Sequence, residues 1–134
     1  MNAKATDGER KRNRPRGILV VAILLIIFGA AEVMTGFTHN FLGISTSQAA
    51  ITTFLSAAIG SFYIIAGLVI LTTKKWAATL AVVFLGLDIV GRVVLVATGY
   101  YPLNSTENIV GIVGGTAIAV FFAIYILLKW AQFK

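Results

Sequence analysis

The chain has 134 residues, of which 58% are hydrophobic and 12% charged, with a net charge of +6 and a mean hydropathy of +0.91. A soluble domain carries about a quarter charged residues, so a soluble globular fold is excluded and the chain reads as a membrane protein of one domain. With no cysteine and a single histidine, His39, disulfides, thiol chemistry, Cys-based zinc or iron–sulfur sites and a bis-His haem are excluded as well; neither a metal nor a cofactor is expected.

Residues 1–17, MNAKATDGERKRNRPRG, form a polar segment with Lys4, Arg10, Lys11, Arg12, Arg14 and Arg16. Its composition predicts a disordered tail. No aromatic residue is interleaved with the charges, as stacking on single-stranded nucleic acid requires. The expected partners are therefore anionic lipid headgroups, each basic residue contributing about 1 kcal/mol near such a surface, and not nucleic acid.

Residues 18–134 read as a transmembrane domain with spans at about 18–38, 49–73, 76–97 and 108–128. Each is long enough for a bilayer core, which takes about 20 apolar residues. Only helices and closed barrels cross lipid, and these runs are too long and too uniformly apolar for alternating barrel strands. THNFLGISTSQ and GYYPLNSTE carry turn residues, and Lys74-Lys75 leaves room only for a tight hairpin. Gly29-Ala30-Ala31 has the small residues of a signal-peptidase site, but the apolar run continues through Val33, Met34 and Phe37, so the first span is expected to be retained. Asn104-Ser105-Thr106 is a formal glycosylation sequon, too close to the membrane to be expected to carry sugar.

Outside the spans, Lys and Arg fall in the tail, at Lys74-Lys75, and at Lys129 and Lys134, while the first and third loops have none. The positive-inside rule then places both termini in the cytoplasm. Trp76 and Trp130 fall at the inner boundary, and Phe41, Tyr100 and Tyr101 near the outer one, where interfacial aromatics sit. The expectation is an all-α, four-helix bundle in the cell membrane.

Three ionisable residues lie inside spans: Glu32, Asp88 and Arg92. Glu32 is 14 residues beyond Ile18 and Arg92 is 15 beyond Ala77, so both lie roughly 21–22 Å along their helices. Asp88 precedes Arg92 by one turn on the same face, with the acid in the favourable N-terminal position. Two acids then share one base, and a surplus negative charge remains for a proton or a cation. Ser56 and Thr116 fall at similar depth and complete an expected polar layer.

Each span also has a small or polar stripe. Gly29, Glu32, Thr35 and Gly36 form one; Thr53, Ser56, Gly60, Tyr63 and Gly67 another; Gly111, Gly115, Ala119 and Ala123 recur every four residues in the last span. Such stripes let membrane helices approach closely, within one chain or between copies, so a homo-oligomer or a membrane partner is allowed. Tyr63 reads as a packed aromatic with its hydroxyl satisfied and His39 as a solvated loop residue.

Four spans with an acid in the first resemble, in outline, the small multidrug-resistance transporters, whose first-span glutamate exchanges protons for cationic drugs. The resemblance assigns that position to Glu32. The strong charge bias, Arg92 and the missing aromatic pattern depart from that family. Fluoride channels share only the size and the number of spans. KKWAATLA, followed by the helix with Asp88 and Arg92, resembles small four-helix membrane proteins of prokaryotes, archaea included; this covers nearly the whole chain and implies no activity. Without HExxH, a nucleophile elbow or a thiol, the expected function is non-enzymatic: an accessory or structural bundle, with a proton- or cation-coupled transporter or channel using Glu32 and Asp88 as the alternative.

Overall fold

The computed structural model describes residues 15–41, 44–45, 50–100 and 103–134. The basic tail, apart from its last residues, lies outside the described residues. Among those described there are four long helices: α1 (Arg16–Thr38), α2 (Ala50–Ile70), α3 (Lys75–Ala97) and α4 (Thr106–Leu128). All four are long and apolar enough to cross a membrane. Asn40–Phe41 makes a two-residue antiparallel contact with Ile44–Ser45, which gives backbone groups of the first connection partners that a plain loop would leave to water.

Local chemistry explains the helix ends. Pro15 stands before the first turn of α1, where its missing N–H costs nothing, and its carbonyl accepts from Ile18 and Leu19. α1 stops where His39 adopts the left-handed conformation, φ 54°, with its N–H bonded to Thr35 O at 2.8 Å. α2 ends at Ile70, three residues before the apolar run does, because Thr73 turns left-handed at φ 56° and breaks the helix. Ser105 caps α4: its hydroxyl accepts from the Asn108 N–H at 3.2 Å, and Glu107 complements the helix dipole in the first turn.

The helices run antiparallel in sequence. The start of α1, the α2–α3 turn and the end of α4 therefore share one end of the bundle, called here the tail end. A short 3₁₀ turn, Trp130–Gln132, follows α4. Phe133 then enters the core, and the Lys134 N–H bonds to Thr73 O at 2.8 Å, which ties this segment to the α2–α3 turn. The opposite end, with the other two connections, is the loop end.

α1 and α2 form the tightest pair, and glycine is the reason. A β-carbon on Gly29 would lie 2.6 Å from the Gly60 carbonyl oxygen, and one on Gly60 would lie 2.5 Å from the Gly29 oxygen. Seven residues away in each direction, a β-carbon on Gly67 would lie 2.7 Å from Ala22 O and one on Gly36 would lie 2.9 Å from Thr53 O. The two backbones touch along a seam that only small residues permit.

The packed apolar core sits in the tail half. Leu25, Ala66, Ile70, Ala81, Leu85 and Phe122 are all buried there, with Phe133 beside them. Outward-facing side chains such as Ile27, Met34, Phe37, Phe54 and Val93 are large, apolar and exposed. That inside-out distribution suits a bundle solvated by lipid rather than water.

Candidate functional site

The loop half of the bundle is built differently. Asp88 of α3 is fully buried, at 0% exposure. Arg92, one turn on, donates from Nε to Asp88 Oδ1 at 2.8 Å, and the Tyr63 hydroxyl of α2 donates to Asp88 Oδ2. Each oxygen of Asp88 thus has its own donor. Arg92 also turns Nη2 towards Glu32 Oε1 of α1, at 3.7 Å. That is an ion pair but too long for a hydrogen bond. Ser56 lines the same cavity as Glu32.

Gly115 of α4 completes the setting. A β-carbon there would fall 2.6 Å from Arg92 Cζ, so the guanidinium occupies the room that a side chain at 115 would take. The small residues of α4 face inward. Gly111 and Gly115 line a cavity, Ala119 is fully buried and Ala123 packs against the core.

That cavity measures about 210 Å³. Phe28, Ile59 and Ile118 line it near the middle of the bundle; His39, Thr52 and Val110 line it at the helix ends. Glu32, Ser56, Tyr63 and Arg92 are part of its wall, and Asp88 is not among the lining residues. The two acids are therefore unlike. Asp88 is sealed between Arg92 and Tyr63. Glu32 is loosely paired and faces open volume.

The structure brings Glu32, Ser56, Asp88 and Arg92 together and leaves Thr116 out: it is half-buried on α4 but does not line the cavity. The reason is angular. Thr116 is one residue past Gly115, about 100° around the helix, so equal depth does not put it on the inward face. His39 departs from the solvated-loop expectation, since it is half-buried and lines the cavity mouth. Tyr63 is packed with its hydroxyl satisfied, as expected, and the acceptor makes it a site residue. Its place in the polar stripe of α2 signals burial, and nothing in the stripe names Asp88 as its acceptor.

Among the described residues no group of three or more His, Asp and Glu is placed to hold a metal ion. Comparison with known proteins yields no match to any protein-family model, curated protein or solved structure.

Proposed function

We propose that this chain is a non-enzymatic integral protein of the cell membrane, with both termini cytoplasmic, that binds a small solute at Glu32. The observation that carries the reading is the cavity: Glu32 lines it, it extends to the loop end, and the buried apolar core lies in the tail half. A conducting pore needs a continuous polar path. Here Leu25, Ile70, Leu85 and Phe122 close the bundle beneath the site, which supports a one-ended binding site over an open channel. Glu32, not Asp88, is then the group that meets a proton, a cation or a solute.

The orientation rests on charge. Arg16, Lys74, Lys75, Lys129 and Lys134 all fall at the tail end, where the basic tail would meet anionic headgroups. The accessory or structural role has its own support in Asp88, Arg92 and Tyr63. That set is fully partnered, and no buried side-chain nitrogen or oxygen among the described residues lacks a hydrogen bond. In this reading the Asp88 set fixes the bundle and Glu32 faces the solute. Inward-facing Gly115 favours use of the α4 stripe inside one chain, so a homo-oligomer would have to form elsewhere.

The test is carboxyl accessibility. A water-soluble carbodiimide with an amine nucleophile is added to the loop-end face of the protein in vesicles, and modified residues are read by mass spectrometry. Glu32 should be modified along with exposed Glu107, and Asp88 should stay intact. A reactive Glu107 beside an inert Glu32 would overturn the reading. Liposome flux then separates transport from static binding: a pH-dependent flux lost in a normally folded Glu32→Gln protein assigns transport.

A further inference from the structure

α1 and α4 bound the cavity with little direct backbone contact, and at the loop end the paired Asn40–Phe41 and Ile44–Ser45 segments bridge them. In the tail half these helices meet through side chains. Phe28 packs edge-on against Phe122, with ring centroids 5.9 Å apart, and the Tyr125 hydroxyl sits over Gly17. Elsewhere their backbones stay apart over most of their length. Gly114, Ile118, Phe121 and Tyr125 recur at helical spacing on the flank of α4 that carries Tyr125 to α1. On that flank Gly114 lines the cavity, yet a β-carbon built on it would meet nothing within 4 Å. Its neighbour Gly115 is pressed against Arg92. Among the described residues, nothing fills the side of the cavity at Gly114.

Depth decides what the gap faces. Gly114 is eight residues past the start of α4 at Thr106, roughly 12 Å along the helix. A helix of 23 residues is only about 5 Å longer than the hydrocarbon core. The gap therefore opens on acyl chains, below the headgroups. Val110, one turn before it on the same flank, is exposed and apolar, as the rim of such an opening should be.

We propose that the cavity is entered sideways from the bilayer, between α1 and α4, and holds an uncharged amphiphile with one hydrocarbon chain and a hydroxyl or amide head. This rests on the reading of the cavity as a binding site and adds its ligand and its route. The head must satisfy an acid and a base at once. A cationic head would meet Arg92, and an anionic head would meet Glu32. A hydroxyl or an amide offers a donor to the Glu32 carboxylate and an acceptor to the Arg92 guanidinium, which stand 3.7 Å apart, too far for a direct hydrogen bond. The chain lies against Phe28, Ile59 and Ile118 and leaves past Gly114. Acyl chains surround the opening at high concentration.

The experiment uses the full chain in liposomes and a long-chain alcohol with a photoactivatable diazirine in its chain. Labels mapped by mass spectrometry should concentrate on α1 from Phe28 to Phe37 and on α4 from Val110 to Ile118. Unlabelled long-chain alcohol or amide should reduce them about tenfold, and the fatty acid and alkylamine of equal length should compete less well. Gly114→Leu fills open space without a clash, so it should fold, and it should lower the labelling about tenfold. Label spread evenly over outward residues such as Leu19, Ile27 and Val93, labelling unchanged in Gly114→Leu, or cross-links joining two copies at Gly114 would each overturn the proposal. If Glu32 still reacts with the water-soluble carbodiimide, the binding site stands and only the lipid route and ligand fail. If it does not, both fail.

Discussion

Arg92 is where the bundle depends most on one side chain. A lone charge at a helix centre costs about 2.5–3.5 kcal/mol on insertion scales, and Asp88 is tolerated at 0% exposure because Arg92 and Tyr63 both donate to it. Arg92→Leu leaves Asp88 and Glu32 without their base and should cost about 3–5 kcal/mol. Tyr63→Phe removes one donor from a buried oxygen and should cost about 1–3 kcal/mol. Glu32→Gln keeps the shape, leaves the Asp88–Arg92 bond intact and should cost less than about 1.5 kcal/mol. Unfolding in mixed micelles ranks the three; a Glu32→Gln loss equal to that of Arg92→Leu would make Glu32 a structural residue. The Asp88–Arg92 pair is legible in sequence because i, i+4 spacing fixes a shared face, and Glu32 joins it because depth can be counted along a straight helix. Rotation about the helix axis cannot be counted from depth, which is why Thr116 drops out. Tyr63 needs the hydroxyl's direction, and His39 needs the left-handed turn that ends α1; neither is written in a pattern of apolar residues.

Among the elements, the α1–α2 hairpin is set by the glycine seam and the other contacts by side chains. Gly29→Val or Gly60→Val drives a branched side chain into a facing backbone that cannot move aside. Either should prevent normal packing, read as a drop in folded yield and melting temperature. Gly86 is the matched control: a β-carbon there meets nothing within 4 Å, so Gly86→Ala should be neutral or stabilising by up to about 1 kcal/mol. If Gly29→Val and Gly86→Ala behaved alike, the seam would not be holding the pair. Gly115→Leu differs from both, since it displaces a guanidinium rather than a backbone; it should destabilise by disturbing Asp88 and Glu32 together, with the mass of the detergent-solubilised protein unchanged. At this scale the sequence is highly legible. The four spans and the tight Lys74-Lys75 hairpin follow from hydropathy and bilayer thickness alone, and the helix ends lie within three residues of expectation. What hydropathy cannot supply is which neighbour each stripe meets, or the short antiparallel contact of the first connection, because both depend on tertiary placement.

On the scale of the whole molecule, the two halves of the bundle predict two kinds of accessibility. The chain has no cysteine, so single cysteines report cleanly. In vesicles of defined orientation, Asn104→Cys, exposed beyond α3, should react rapidly with a charged methanethiosulfonate added from outside the cell-equivalent face. Ser56→Cys, on the cavity wall, should react from the same side but more slowly, because the reagent must pass the mouth at His39. Ala66→Cys and Ala81→Cys, at 1% and 0% exposure in the tail half, should stay silent until the protein is unfolded. The outcomes separate three claims. Reaction of Asn104→Cys only from the cytoplasmic side would overturn the orientation and leave the cavity standing. Silence at Ser56→Cys with Asn104→Cys reactive would mean that the cavity is closed to water and filled by other means. Reaction at Ala66→Cys as fast as at Ser56→Cys would mean that solvent passes through the tail half, and the one-ended site would give way to a conducting path. The structure favours the graded order because apolar close packing excludes even small solutes, whereas the loop half is held open by polar side chains that pair with one another instead of filling the space between the helices.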